Sequence, residues 1–90
     1  MNTYIELDNK VAFHPGYYIQ EYLNEQSLSQ EEFSKRYNIP LEVIKGEQSL
    51  SIDIAKTLSN IVGTSIDYWL NLQKEYDKLV SKGIQLLGKQ

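Results

Sequence analysis

Two helical segments lie unusually close together in the first half of this chain. The first helix is predicted over residues 28–37, because Ser29 can cap its N-terminus and Glu32, three residues later, completes a capping box. A second helix should follow after a tight turn, as in a helix-turn-helix motif. Residues 38–46, which end in Gly46, leave that helix room for barely one and a half turns at about 3.6 residues per turn. The sequence therefore predicts a helix-turn-helix with a shortened second helix.

Three further helices are predicted around this pair. The first begins at residues 14–16, where proline is favourable in the first turn. Ser51 can cap another, which Gly63 ends, and Thr64 or Ser65 can cap the last. Together these segments predict an all-α fold of five helices. Apolar residues spaced three or four positions apart are expected to face the core, namely Tyr18, Ile19, Tyr22, Leu23, Phe33, Tyr37, Ile54, Ala55, Leu58, Ile61 and Val62.

The chain before His14 has a different pattern. Asp8 and Asn9 suit a two-residue turn, and the apolar residues on either side of them could form a small hairpin. A two-stranded ribbon needs something to pack against. The segment is either an arm that covers part of the core or an edge that pairs with a partner's sheet. The expected organisation is an N-terminal arm over 1–13, a helix-turn-helix domain over 14–82 and a C-terminal tail over 83–90.

The composition excludes several classes of chemistry. The chain has no cysteine, so disulfides and thiolate metal sites are impossible. Its single histidine, His14, lacks companions for a metal site or a catalytic dyad, and a structural role at the helix entrance is expected. No nucleophile–base pair or phosphate-binding glycine loop is present. We expect no enzymatic activity, no metal and no cofactor. With neither a membrane-length apolar run nor a secretory signal, a cytoplasmic location is expected.

The charge distribution is unusual for a protein that binds nucleic acid. The formal net charge is −3, whereas affinity for duplex DNA rests largely on neutralising phosphates. An acidic total still permits a basic face, so distribution matters more than sum. Only Lys35, Arg36 and Lys45 lie in or beside the predicted helix-turn-helix. Few basic residues are therefore placed there to neutralise DNA phosphates.

A regular apolar stripe runs along the last helix. Trp69, Leu72, Tyr76 and Leu79 are spaced by three, four and three residues, as in a helix that packs lengthwise against another. This stripe is either the seam of a dimer or partner interface, or the face that covers the domain's own core. Both uses are compatible if Trp69 and Leu72 point inward and Tyr76 lies at an interface.

Three motifs occur in order and carry a family resemblance: FHPG at residues 13–16, LSQEEFSKR at 28–36 and GTSIDYWLNLQ at 63–73. In this combination the chain resembles HigA-type antitoxins, a branch of the lambda-repressor-like (Xre) helix-turn-helix family. The resemblance covers most of the chain, from Phe13 to Asp77. It implies a homodimer that neutralises a cognate toxin protein and binds operator DNA upstream of its own operon. It implies no membrane partner.

The chain departs from the family where the reading helix should lie. Residues 38–46 are shorter than the family's usual stretch by about four residues, close to one helical turn. Ile39 replaces the usual N-cap serine and is a poor cap. Either the shortened helix still binds DNA, or the protein acts as an interaction module on a degenerate fold, regulating a partner with little DNA binding. If DNA is bound, the residues expected to touch it are Gln30, Arg36, Leu41, Glu42, Lys45 and Gln48.

Overall fold

The computed structural model describes the backbone of residues 4–7 and 10–88 and the side chains as far as residue 83. Its elements are β1 (Tyr4–Leu7), β2 (Lys10–Phe13), α1 (Pro15–Gln26), α2 (Gln30–Tyr37), α3 (Leu41–Ile44), α4 (Ile52–Val62) and α5 (Ile66–Gly88). The expected all-α fold of five helices preceded by an arm or hairpin is confirmed.

The N-terminal strands form an antiparallel hairpin. Tyr4 is opposite Phe13, and Leu7 is opposite Lys10. The predicted turn at Asp8 and Asn9 lies outside the described residues. Both strands pack on α5, which supplies the support that an isolated two-stranded ribbon lacks.

The predicted capping box on α2 is present and fixes where that helix begins. The backbone N–H of Glu32 donates to Ser29 Oγ at 3.1 Å, and the backbone N–H of Ser29 donates to Glu32 Oε1 at 3.4 Å. At the other end Asn38 adopts the left-handed conformation with φ 56°, and its N–H donates to the carbonyl of Ser34. Asparagine tolerates this conformation better than most residues, so α2 ends there and the chain turns towards α3.

Side-chain caps also begin the later helices. Ser51 Oγ accepts from Ile54 N at 3.2 Å, and Ser65 Oγ accepts from Tyr68 N at 3.1 Å. Gly63 ends α4 with φ 85°, a conformation that favours glycine. The helical backbone of α5 continues to Gly88.

The core lies where the helices meet. Its large, fully buried members include Trp69 and Phe33, each at most 1 % exposed. Tyr18, Tyr22 and Tyr37 are partly buried and pack against this core. The buried hydrophobic residues are Ile19, Leu23, Phe33, Ile39, Val43, Ile44, Leu50, Ala55, Leu58, Trp69 and Leu79.

Candidate nucleic-acid interface

The helix that follows the α2 turn is a single turn, α3 (Leu41–Ile44), of 4 residues. Its N-cap is Pro40, which makes no side-chain capping hydrogen bond. The expectation of a shortened helix without a side-chain cap is thus confirmed, but the N-cap is Pro40 and not the predicted Ile39. Val43 and Ile44 are fully buried and Leu41 is half-buried against the core. Most of this short helix therefore anchors itself in the protein, and Glu42 is its one exposed side chain.

The chain reverses direction directly after α3. The carbonyl of Glu42 accepts from the backbone N–H of both Glu47, at 2.8 Å, and Gln48, at 3.2 Å. Gly46 has φ 79°, which a residue with a side chain rarely adopts. These bonds bring Gln48 back beside the α3 turn, so Glu42, Lys45 and Gln48 belong to one compact loop.

Gly16 lets the first turn of α1 lie against the end of α3. A Cβ added at Gly16 would lie 2.6 Å from the carbonyl oxygen of Val43 and closer still to that of Ile44. No real Cβ contact is that short, so the two backbones approach to a distance that only glycine permits. The glycine of the HPG motif thereby sets the position of the shortened helix.

His14 connects the start of α1 to the loop after α3. Its Nδ1 accepts from the backbone N–H of Gly16 at 2.9 Å, so it is the N-cap of α1. Its Nε2 lies 3.0 Å from the carbonyl oxygen of Gln48 and donates to it in the neutral tautomer that leaves Nδ1 free to accept. Burial lowers the pKa of His14, against the opposing effects of the Gln48 carbonyl and the charge of Asp77. The structural role predicted for this histidine is confirmed.

Gln73 holds the same loop from the other side. This α5 side chain is 7 % exposed. Its Oε1 accepts from Leu50 N at 2.8 Å, and its Nε2 donates to Asp77 Oδ1 at 2.9 Å. This role was not predicted, although Gln73 closes the third family motif. A glutamine on an amphipathic helix gives no signal of a bond to a loop so far away in sequence.

The residues expected to contact DNA differ in the solvent exposure of their side chains. Arg36, Glu42 and Gln48 are exposed, whereas Lys45 is half-buried. Gln30 is also half-buried, since its Nε2 donates to Gln20 Oε1 at 2.7 Å. Two of the six expected residues lie on α2 and four lie on α3 or in the loop after it. Leu41 contributes more to the core than to the surface.

The apolar stripe of α5 packs largely against the core of its own chain. Trp69 is 1 % exposed and Leu79 is 8 % exposed. Leu72 is partly buried against the core, and the ring of Tyr76 meets that of His14 edge-on with centroids 5.1 Å apart. Of these four residues, Leu72 and Tyr76 keep some accessible surface for an interface.

The part of the chain that the structure describes offers neither a metal site nor a membrane-spanning helix. No group of three or more His, Asp or Glu side chains there is placed to hold a metal ion. None of the described helices is long and apolar enough to cross a membrane.

Comparison with known proteins places this geometry among regulators. No protein-family model matches the chain. The Escherichia coli helix-turn-helix transcriptional regulator YddM is 36% identical over 73 residues, covering 74% of this chain and 78% of YddM. A Nostoc punctiforme protein described as the antidote of a plasmid maintenance system superposes with a TM-score of 0.78 at 27% identity, over 87% of this chain and 90% of that one. The Pseudomonas aeruginosa antitoxin HigA, solved with the higBA promoter, superposes with a TM-score of 0.68 at 26% identity, over 86% and 87% of the two chains.

Proposed function

This chain belongs to the helix-turn-helix transcriptional regulators of the HigA antitoxin type, and we propose that it is a DNA-binding antitoxin that represses its own toxin–antitoxin operon. In this role it binds operator DNA as a homodimer and neutralises a cognate toxin protein. Neither activity calls for catalysis. Both would rest on surfaces that the fold holds in place.

The observation that carries the DNA-binding part is the support of the α3 turn. Gly16 allows the end of α3 to pack against α1, and His14 Nε2 makes a hydrogen bond of 3.0 Å to the carbonyl oxygen of Gln48. Gln73 bonds the N–H of Leu50 at 2.8 Å. Together these contacts hold the loop after α3 in one conformation. Pre-organised loops of this kind lose little conformational entropy when they bind.

Each expected contact has a distinct task in this proposal. Gln30 begins α2 and would meet a phosphate together with backbone N–H groups of that helix end. Arg36 and Lys45 supply positive charge for phosphates. Lys45 could instead reach a guanine, Glu42 could accept from a cytosine amino group, and Leu41 could touch a thymine methyl group. Gln48 would meet the backbone from the loop after α3.

The alternative function is an interaction module that regulates its partner with little DNA binding. Two observations favour it: the net charge of −3, and the exposed carboxylate of Glu42 on the reading turn. A carboxylate near phosphates is repelled unless it meets a hydrogen-bond donor on a base. The two functions predict opposite results in one binding experiment.

That experiment is fluorescence anisotropy of the purified chain on a duplex from directly upstream of its own gene. A scrambled duplex of the same composition is the control, and both are titrated across a salt series. An autorepressor binds the upstream duplex more tightly than the scrambled one, and the affinity falls linearly with salt on logarithmic axes. Equal and weak binding to both duplexes at low salt would overturn the DNA-binding part and favour the interaction module.

A further inference from the structure

The imidazole of His14 makes two hydrogen bonds that require opposite states of its two nitrogens. Its Nδ1 accepts from the backbone N–H of Gly16 at 2.9 Å, and its Nε2 lies 3.0 Å from the carbonyl oxygen of Gln48. Because a carbonyl oxygen can only accept, Nε2 must carry the proton and Nδ1 must be unprotonated. The side chain is 2 % exposed, so neither bond is readily exchanged for one to water. The packing therefore requires the neutral ring in a single tautomer.

A second proton on this ring conflicts with its surroundings in three ways. At Nδ1 it would point at the N–H of Gly16, so that one donor faces another. The ring is the N-cap of α1, and a positive charge is unfavourable at the positive end of a helix dipole. Burial also disfavours the charged form, and it is the largest effect on the pKa of His14. The packed position of the ring thus favours the uncharged imidazole.

The groups that face the ring from other elements oppose these effects only in part. The hydrogen bond with the Gln48 carbonyl and the charge of Asp77, on α5, both raise the pKa of His14, but burial outweighs them. Asp77 Oδ1 accepts from Gln73 Nε2 at 2.9 Å, so its carboxylate is held in the same cluster. The ring of Tyr76, also on α5, meets the imidazole edge-on with centroids 5.1 Å apart. The charge state of His14 is therefore linked to contacts from α1, α5 and the loop after α3.

We infer that His14 is a proton-sensitive positioning residue for operator recognition: the neutral ring holds the loop at Gln48 in its binding conformation, and protonation in mild acid loosens that loop. The inference rests on the proposed DNA-binding function. To relieve the contact between two donors the ring must turn or shift, which moves Nε2 away from the Gln48 carbonyl. Gln73 still bonds Leu50 N at 2.8 Å, so the loop is loosened but stays attached. Operator affinity should therefore fall in mild acid while the fold persists.

The test is the pH profile of operator affinity. Anisotropy with the upstream duplex is measured from pH 7.5 to pH 5.0 at constant ionic strength, and wild-type affinity should fall by about fivefold or more. The variant His14→Asn keeps a helix cap but does not titrate. It should bind more weakly than the wild type at pH 7.5, and its affinity should change little with pH. Parallel profiles of the two proteins would overturn the inference, because other groups would then cause the pH effect.

Asp77→Asn changes the charge beside the ring and leaves the ring itself intact. Asparagine can still accept from Gln73 Nε2, but the loss of the carboxylate charge removes one effect that raises the pKa of His14. The fall in affinity should therefore move to lower pH. Asp67→Asn is the matched control, since it makes the same change of charge at an exposed position about 15 Å earlier along α5. Equal midpoints in the two variants would contradict the assignment to His14.

Two further readouts separate this inference from unfolding and from the proposed function. Trp69 is the single tryptophan and is 1 % exposed, so its fluorescence reports whether the core stays intact at each pH. A tryptophan signal that changes together with affinity would overturn the positioning role, since the loss of binding would then be unfolding. A wild type that does not bind the operator at pH 7.5 overturns the DNA-binding function as well. Operator binding that does not vary with pH overturns this inference alone.

Discussion

The imidazole of His14 and the backbone carbonyl of Gln48 are joined by a 3.0 Å hydrogen bond that spans 34 residues of sequence. The same ring caps α1 through Gly16 N. One neutral side chain thus couples the start of the first helix to the loop that follows the reading turn. The coupling depends on which nitrogen carries the proton, since Nδ1 must accept while Nε2 donates.

This arrangement predicts a stability that falls in mild acid. The pKa of His14 in the folded protein is lowered from the usual 6.5, so below that pH the unfolded chain binds a proton that the folded chain does not. The contribution of His14 to the free energy of unfolding is fully present above pH 6.5. Between that pH and the lowered pKa of His14, the free energy of unfolding falls by at most about 1.4 kcal/mol per pH unit. Urea unfolding at pH 7.5 and pH 5.5 measures the difference.

The variant His14→Asn is the control for that pH effect. Asparagine is a good N-cap and can still accept from Gly16 N, but it does not titrate. Its free energy of unfolding should be lower than that of the wild type at pH 7.5, because the Gln48 bond is lost, and should change less between the two pH values. An identical pH dependence in both proteins would mean that carboxylates cause the effect.

Gly16→Ala should destabilise the protein, although alanine is the better helix former. The added Cβ would collide with the backbone carbonyls of Val43 and Ile44, and backbone atoms cannot move aside as a flexible side chain can. We expect the free energy of unfolding to fall by about 1–3 kcal/mol, as for other overpacked sites. Operator affinity should fall too, since the end of α3 is displaced.

Gly83→Ala provides the matched comparison. Gly83 lies within α5, and its Cβ would meet only the side chain of Leu7 at 3.9 Å. The same substitution there should stabilise the protein by about 0.5–1 kcal/mol through reduced backbone entropy. Thermal and urea unfolding of the two variants should therefore shift in opposite directions. A shift of Gly16→Ala towards higher stability would contradict the close approach of α1 and α3.

Gln73→Leu should leave a buried N–H without a partner. The variant keeps roughly the same volume but removes the oxygen that accepts from Leu50 N at 2.8 Å. An unsatisfied buried donor costs about 1–3 kcal/mol. Asn71→Leu, at an exposed position on the same helix, removes an amide of the same kind and should change stability by less than about 0.5 kcal/mol. Urea unfolding of both variants measures these changes. Similar losses of stability in the two variants would show that the bond to Leu50 contributes little.

The elements of this fold could be predicted because their signals are local. Ser29 and Glu32 stand three residues apart, so the capping box is visible in the sequence. The bond from Gln73 to Leu50 joins residues 23 apart, and nothing near either residue indicates the other. Periodicity placed Trp69 on an apolar face but could not say whether that face met the chain's own core or a partner. The close approach at Gly16 likewise appears only once α1 and α3 are packed together.

The last prediction tests the reading surface itself. Gln30→Ala with Lys45→Ala removes one amide and one positive charge from the helix-turn-helix, and we expect the double variant to lose operator binding while it stays folded. The matched control is Gln26→Ala with Lys56→Ala, two exposed residues outside the helix-turn-helix. Anisotropy across a salt series should show control binding like that of the wild type. If binding by the Lys45→Ala single variant remains measurable, its salt dependence should be shallower by roughly one phosphate contact. Unchanged operator affinity in the double variant would mean that the DNA contacts lie elsewhere on the fold.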